Sequence, residues 1–112
     1  MKEGDPYLVV LVTVPRGETG NDLARRLLEE GLAACVNRIP SVRSLYRWKG
    51  KIESDEEELL LIKTSRERMA DLEKRIEEMH PYNVPEMLAL SVRYGSEPYL
   101  DWLGGSLHPG EG

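Results

Sequence analysis

The sequence predicts an α+β domain in which two helices cover one face of an antiparallel sheet. Three observations support this fold class. Residues 7–14 form one continuous run, apolar except at Thr13 and rich in β-branched side chains, with the length of a central strand. From residue 42 onward the side chains alternate with the period of a β-strand. Two further segments, 19–30 and 64–80, repeat their apolar residues at helical spacing, so strands and helices share the chain.

The first strand and the first helix follow from the opening third of the chain. Residues 7–14 are rich in β-branched side chains, a composition typical of strands buried on both faces, so this strand is expected at the centre of the sheet. Thr19 and Asp22 then form a capping-box-like start, in which side-chain oxygens accept hydrogen bonds from unpaired backbone N–H groups. Gly31 supplies a left-handed stop for this helix.

The second strand is predicted to be irregular. It restarts over residues 32–37, and Pro40 interrupts it. Because proline lacks the N–H group that a sheet ladder needs, this strand is expected to be bent, bulged or at an edge. Beyond Val42 the alternation places Tyr46 and Trp48 on one face.

A tight turn at Lys49 and Gly50 is predicted to close a long hairpin, since glycine accepts the positive φ that such turns require. The chain then returns as a strand over residues 51–64. With a two-residue loop, Arg43 lies opposite Glu56, and opposite charges in that position stabilise a hairpin by roughly 0.2–1 kcal/mol.

The last third of the chain contains a second helix, a last strand and a short helix. Thr64 and Glu67 form a second capping box ahead of an amphipathic helix that Pro81 ends. Residues 87–93 form the last strand of the sheet. Ser96 is expected to cap a short C-terminal helix.

The predicted element order is therefore β-α-β-β-α-β with a terminal helix. This order is typical of the ferredoxin-like fold, with an antiparallel sheet and a long central hairpin. We predict a single domain spanning residues 1–112, with a flexible tail at about 106–112.

Composition and charge exclude several classes of protein. The net charge of −5 argues against a general nucleic-acid binder, whose binding surface is basic. No apolar run approaches the roughly 20 residues that a membrane-spanning helix needs. Cys35 is the sole cysteine, which excludes an internal disulfide and favours a reducing compartment, and the first residues lack the layout of a secretory signal. We therefore expect a cytoplasmic protein with no nucleic-acid or membrane partner.

The far half of the hairpin is expected to need a partner. It carries Tyr46 and Trp48 on one face, and a projecting two-stranded ribbon is only marginally stable by itself. Either the two rings fold back on their own sheet or they lie in a subunit interface, where both residue types are favoured. Cyclic assembly would also cover exposed strand edges.

Five segments carry a family signature, in order along nearly the whole chain: LAACVN at 32–37, SLYRWKGKI at 44–52, LIKT at 61–64, HPY with PE within 80–86, and YLDWL at 99–103. Together they resemble the CutA family of divalent-ion tolerance proteins. The resemblance implies a ferredoxin-like fold, a homotrimer similar in architecture to the PII signalling proteins, and a link to divalent-metal tolerance with copper binding.

His80 is the candidate metal ligand. Where some family members have cysteine in the first strand this sequence has Val12, and where some have two adjacent histidines it has Met79 and His80. The resemblance thus leaves His80 as a ligand for Cu²⁺ or another divalent cation, with no tightly bound metal expected. Met79, Glu86 or a neighbouring subunit would have to complete the shell. The structural alternative is a protonated histidine that caps a helix end by donating to its last carbonyls.

A cleft between subunits is the second candidate site. The residues that the family resemblance assigns to it are Cys35, Trp48, Glu58, Lys63, Tyr82 and Glu86. Polar side chains beside an aromatic ring suit a small anion or metabolite, by analogy with the PII architecture. Plainer interpretations stand beside this one: Cys35 as a small buried hydrophobe, and Glu58 as a buried carboxylate in need of a partner. The acidic cluster of Glu53, Asp55, Glu56, Glu57 and Glu58 could attract divalent cations loosely through its oxygens, or it could be a solvated surface that resists aggregation.

No motif in the sequence indicates catalysis: it has no Gly-rich phosphate loop, nucleophile elbow or His-Glu-x-x-His. We therefore predict that the protein is not an enzyme. The first hypothesis is a cytoplasmic homotrimer for divalent metal (copper) tolerance, with weak or inducible metal binding. The alternative is a PII-like trimeric signalling module that binds a small molecule at the subunit cleft and acts on another protein.

Overall fold

The computed structural model describes residues 1–107. In chain order the elements are β1 (Lys2–Glu3), β2 (Tyr7–Pro15), α1 (Thr19–Glu29), β3 (Cys35–Trp48), β4 (Lys51–Ser65), α2 (Met69–Met79), β5 (Met87–Ser91), β6 (Tyr94–Gly95) and α3 (Glu97–Gly105). A single 3₁₀ turn, Arg66–Arg68, leads into α2.

Four strands form the main sheet in the order β3-β4-β2-β5, with every neighbouring pair antiparallel. This arrangement confirms the predicted ferredoxin-like α+β fold, including the central position of β2. The strands β1 and β6 form a separate two-stranded sheet that the sequence did not reveal. Strands of two residues are too short to show a period, which is why sequence pattern cannot detect them.

The hydrophobic core lies between the sheet and the two longer helices. Alternate side chains of β2 and β4 point into it and meet the apolar faces of α1 and α2. Its fully buried members are Val10, Val12, Val14, Leu23, Leu27, Leu60, Ile62, Leu72 and Ile76. The expectation that β2 is buried on both faces is met only on this side, since Val9 and Leu11 on the other face are half-buried.

The opposite face of the sheet, which we call the open face, carries apolar side chains that α1 and α2 do not cover. Strand register places six aliphatic residues on it: Val9, Leu11, Leu59, Leu61, Leu88 and Leu90. Leu88 and Leu90 are 55% and 50% exposed. An exposed apolar surface rimmed by polar residues is typical of a protein interface.

The hairpin has the predicted turn and register. Lys49 and Gly50 both have positive φ, at 50° and 78°, as a two-residue hairpin turn requires. Arg43 pairs with Glu56, as expected. The predicted irregularity is a register shift between Ile39 and Val42, and β3 is an edge strand.

Both predicted capping boxes are wrong. At α1 the N-cap residue is Glu18, and no side chain caps the helix. Thr64 instead belongs to β4, and its hydroxyl donates to the Leu32 carbonyl at 2.7 Å. A buried hydroxyl needs a hydrogen-bond partner, and Thr64 finds one in a residue distant in sequence. This tertiary contact takes the place of the predicted helix cap.

The C-terminal elements match the prediction in part. The strand β5 ends at Ser91, two residues before the predicted limit. Ser96 caps α3 as expected, since its Oγ accepts a hydrogen bond from the Tyr99 amide at 3.3 Å. At Ser106, where the predicted tail begins, the hydroxyl donates to the Trp102 carbonyl at 2.9 Å. The remainder of the predicted tail, 108–112, lies outside the described residues.

Helix α3 packs over one end of the open face, where Gly104 lies against the Tyr7 ring. A Cβ atom at Gly104 would overlap the Tyr7 hydroxyl, whereas one at Gly105 would meet no atom within 4 Å. We expect Gly104→Ala to destabilise the protein by about 1–3 kcal/mol, because a rigid ring must move. Gly105→Ala is the matched control and should be neutral or stabilising by up to about 1 kcal/mol. Urea denaturation checks both; equal effects would contradict the packing of α3.

Candidate functional site

A cavity of about 660 Å³ opens where the far half of the hairpin meets the loop after α2. We call it the acidic cavity and define it by six of its lining residues: Tyr46, Trp48, Asp55, Glu57, Tyr82 and Glu86. The cavity forms because β3 and β4 extend beyond the helices while the loop, with prolines at 81 and 85, lies alongside them. Its volume is in the range of small-molecule sites.

Glu57 is the most buried of the cavity carboxylates, at 6% exposure. Its Oε2 accepts a hydrogen bond from the Tyr82 hydroxyl at 3.1 Å. Burial, followed by this hydrogen bond, raises the pKa of Tyr82 to about 12. The phenol therefore stays protonated and remains a donor to the carboxylate throughout the neutral range.

The second carboxylate, Asp55, accepts a hydrogen bond from the Tyr46 hydroxyl across the hairpin. That hydrogen bond is the main cause that raises the pKa of Tyr46 to about 12. Both phenol hydroxyls thus donate hydrogen bonds to carboxylates that line the same cavity. The aromatic walls are held in place by negatively charged groups.

His80 follows α2 and lies next to the acidic cavity, with its ring centroid 4.7 Å from that of Tyr82. It is 7% exposed, and both ring nitrogens are engaged. Nδ1 accepts from the Tyr82 amide at 3.1 Å, and Nε2 donates to the Thr13 carbonyl at 2.7 Å. These contacts fit a neutral ring with its proton on Nε2. The expected donation to the last carbonyls of α2 is not observed, because the ring points toward β2.

Within residues 1–107 there is no group of three or more His, Cys, Asp and Glu side chains placed to hold one metal ion. To bind a metal, His80 would also have to break one of its two hydrogen bonds, so that Nδ1 or Nε2 could offer its lone pair to the ion. No helix among the described residues is long and apolar enough to cross a membrane.

The predicted cleft residues fall into three places in the single chain. Trp48, Tyr82 and Glu86 line the acidic cavity. Cys35 and Lys63 are cross-strand partners farther along the sheet, with the Lys63 ammonium 3.8 Å from the Cys35 sulfur and bonded to the Asn37 side chain. This second group lies near α3, because Tyr99 contacts Cys35. The pKa of Tyr99 is raised, mainly by burial and then by Cys35.

Glu58 lies on the helix side of the sheet, away from the acidic cavity. Its two carboxylate oxygens accept hydrogen bonds from the Arg38 guanidinium at 2.7 and 3.1 Å. The prediction that this carboxylate needs a partner is met by Arg38. Its neighbour Gly20 leaves room for it, because a Cβ there would overlap the carboxylate.

Sequence reasoning did not assign Tyr46, Asp55 and Glu57 to a small-molecule site. It interpreted the acidic cluster as a loose attractor of divalent cations or as a solvated surface, and Tyr46 as a residue folded onto its own sheet or buried in an interface. The signal was present in the hairpin register, which pairs Ser44 with Asp55 and Val42 with Glu57, and so places these carboxylates on the face of Trp48.

A family model described as CutA1 divalent ion tolerance protein matches residues 8–106. This chain belongs to the CutA1 family. Among its relatives, the divalent-cation tolerance protein CutA of Thermus thermophilus is 48% identical over 95 residues, which are 85% of this chain and 92% of the relative. The chloroplastic protein CutA of Arabidopsis thaliana is 48% identical over 101 residues, or 90% of this chain. The chain spans only 56% of that plant protein.

Solved CutA1 structures share the fold. The divalent cation tolerance protein of Thermus thermophilus superposes with a TM-score of 0.89 at 45% identity, covering 91% of this chain and 99% of the other. The periplasmic divalent cation tolerance protein CutA of Archaeoglobus fulgidus gives a TM-score of 0.87 at 34% identity, with the same two coverages. The extended hairpin and the two-layer arrangement described above are thus those of CutA1 proteins.

Proposed function

We propose that this chain acts in divalent-cation tolerance as a cytoplasmic homotrimer that binds Cu²⁺ or another divalent cation weakly, and that it is a binding protein rather than an enzyme. Membership of the CutA1 family supports the tolerance role, as do the relatives named for divalent-cation tolerance. The free Cys35 suits a reducing compartment. Relatives carry chloroplastic and periplasmic names, so the cytoplasmic location rests on this chain's own residues.

The open face is the observation that carries the proposal of assembly. Its aliphatic side chains lie on strands β2, β4 and β5, and Leu88 and Leu90 are half exposed. The outer strands β3 and β5 also leave sheet edges that neighbouring copies can cover. Packing of copies around a threefold axis would bury this surface and the exposed ring of Trp48.

Weak metal binding follows from the geometry around His80. If the His80 ring breaks a hydrogen bond in order to bind a metal, the lost hydrogen bond offsets part of the free energy of metal binding. Because the described part of one chain offers no complete ligand set, adjacent subunits would have to supply the remaining ligands. Such a site fills only when the metal concentration rises, which suits a tolerance protein.

Calorimetric titration of Cu²⁺ into metal-stripped, untagged protein tests this proposal. The second histidine, His108, should first be replaced by alanine so that it contributes no site of its own. We expect saturable binding near one ion per chain, weakened about tenfold or more by His80→Gln. Glutamine removes the imidazole but can still donate an amide N–H to the Thr13 carbonyl, so the fold is preserved.

The titrated samples should have the mass of three 12.7 kDa chains by light scattering. Unchanged binding in His80→Gln at unchanged mass would remove His80 from the metal site. An absence of saturable binding in the parent would contradict the metal-binding part of the proposal.

The acidic cavity favours a second candidate function, a PII-like trimeric module that binds a small molecule at the subunit cleft and signals to another protein. Its volume and its aromatic walls are those of a ligand pocket. It also contains half of the residues that the family resemblance assigns to the cleft, namely Trp48, Tyr82 and Glu86.

A further inference from the structure

We infer that residues 1–6 form an N-terminal clasp that holds α3 against the sheet, and that the clasp and α3 open together as one unit while the rest of the fold stays closed. The clasp contains β1, which pairs with β6 directly ahead of α3. The family model matches residues 8–106, so the clasp lies outside the matched region and α3 lies within it.

Backbone hydrogen bonds attach the clasp at both of its ends. β1 pairs with both residues of β6, and the Gly4 amide donates to the Arg93 carbonyl at 2.8 Å. At the other end, the Arg66 amide donates to the Pro6 carbonyl at 2.9 Å. Ser96, the N-cap residue of α3, follows β6 without a gap. Whatever holds β6 in place therefore also holds the first turn of α3.

Gly4 is the point where the clasp packs most closely on the chain that leads into α3. It is buried, and a Cβ atom there would overlap the Val92 carbonyl oxygen. Val92 lies between β5 and β6, where the chain leaves the main sheet. A side chain at position 4 would therefore push the clasp away from this segment.

Two exposed ion pairs add side-chain contacts to the clasp. The Lys2 ammonium lies 2.6 Å from the Asp101 carboxylate, which belongs to α3 itself. This hydrogen bond is the main cause that raises the pKa of Lys2, so the ammonium stays charged throughout the neutral range. A second pair joins Asp5 to Arg66, in the turn ahead of α2. Exposed pairs are weak and are screened by salt, so part of the hold on α3 depends on ionic strength.

The apolar contacts of α3 are separate from the main core. Leu100 and Leu103 are buried, yet they are not members of the core cluster formed by the sheet with α1 and α2. Leu100 instead packs against Gly95 of β6, and Gly104 lies against the Tyr7 ring. An element that shares few contacts with the core opens at a lower free energy than the whole fold. The clasp and α3 thus form a local unit.

Opening of this unit would uncover the corner of the sheet that contains Cys35 and Lys63. Tyr99 of α3 contacts Cys35, and the Lys63 ammonium lies 3.8 Å from the Cys35 sulfur. These are two of the predicted cleft residues, and both lie away from the acidic cavity. Because every contact of the clasp described above lies within one chain, the clasp controls the cover over this corner without a partner subunit.

Amide hydrogen exchange of the full chain, followed by mass spectrometry of its fragments, tests the inference with α1 as an internal reference. In Gly4→Ala we expect the amides of α3 to exchange about tenfold or more faster, because the clasp is displaced. The amides of α1 should change less than about twofold. Exchange is measured at a protein concentration at which parent and variants have the same light-scattering mass.

A second pair of variants tests the clasp without a packing defect. Lys2→Met removes the ammonium but keeps an unbranched apolar side chain, and we expect the α3 amides to exchange about two to five times faster. The matched control is Lys74→Met on α2, because Lys74 is exposed and has no ion pair within residues 1–107. It should leave α3 unchanged. In about 1 M NaCl the difference between Lys2→Met and the parent should disappear.

The outcomes decide whether the clasp governs α3. If the α3 amides of Gly4→Ala exchange at the parent rate, other contacts hold α3 and the inference is wrong. Equal acceleration in α1 and α3 would also overturn it, because the clasp would then open only with the whole fold. Should Gly4→Ala fail to fold, Lys2→Met decides alone, and an α3 exchange rate equal to that of Lys74→Met would contradict the inference.

Discussion

Leu90→Asp is expected to convert the proposed homotrimer into single chains that remain folded. Leu90 is half exposed in the isolated chain, so an aspartate there can stay hydrated when the chain is alone. In an assembly that buries the open face, the same carboxylate would be desolvated in every subunit. An unpaired buried charge costs several kcal/mol, and three copies of that cost exceed what an interface of standard size tolerates.

Light scattering measures this effect directly. The parent should have three times the 12.7 kDa chain mass, and Leu90→Asp should have the mass of a single chain. The matched control is Leu28→Asp, since Leu28 lies on α1 on the other side of the sheet and is exposed to a similar degree, at 43%. That variant should keep the parent mass. Retention of a trimer by Leu90→Asp would mean that assembly does not use the open face.

Arg38→Met is expected to lower the free energy of unfolding by about 2–4 kcal/mol. Glu58 would lose two hydrogen bonds, of 2.7 and 3.1 Å, and its positive partner while remaining between the sheet and α1. The estimate is below that for a fully enclosed pair, because the Arg38 side chain is 38% exposed and water can replace part of the contact. Chemical denaturation at one fixed protein concentration measures the change.

Two further variants separate the loss of a pair from the loss of an arginine. Arg43→Met breaks an exposed contact with Glu56, 4.0 Å long, and should cost less than about 0.5 kcal/mol. The double change Arg38→Met with Glu58→Met should recover most of the lost stability, because no charge is then left buried. If Arg38→Met were as mild as Arg43→Met, Glu58 would be hydrated and the pair would be of no structural importance.

The predicted fold was correct where the signals are local. Strand alternation and the turn at Lys49 and Gly50 act between neighbours in the chain, and they specify the hairpin register, including the pairing of Arg43 with Glu56. The apolar run of β2 likewise identified the central strand. The capping boxes failed because Thr64 has a competing partner, the Leu32 carbonyl, 32 positions away.

The candidate site was only partly predictable for the same reason. The family resemblance named Trp48, Tyr82 and Glu86, which the fold brings together, but also Cys35 and Lys63, which lie elsewhere on the sheet of one chain. His80 was recognised as the end of a helix, yet its partner is Thr13, 67 positions earlier. No period or turn signal connects residues so far apart.

By itself the sequence determined the order of the elements, the register of the hairpin and the apolar composition of the sheet, because these depend on side-chain period and turn chemistry over a few residues. Only the tertiary structure decided that Glu57 is buried beneath Tyr82 and bonded to its hydroxyl, and that both nitrogens of His80 are engaged. It also decided that, among residues 1–107, Glu58 has an arginine partner and Glu57 does not. Burial and charge pairing depend on what the rest of the chain places within a few ångströms, and that is set by packing between distant segments.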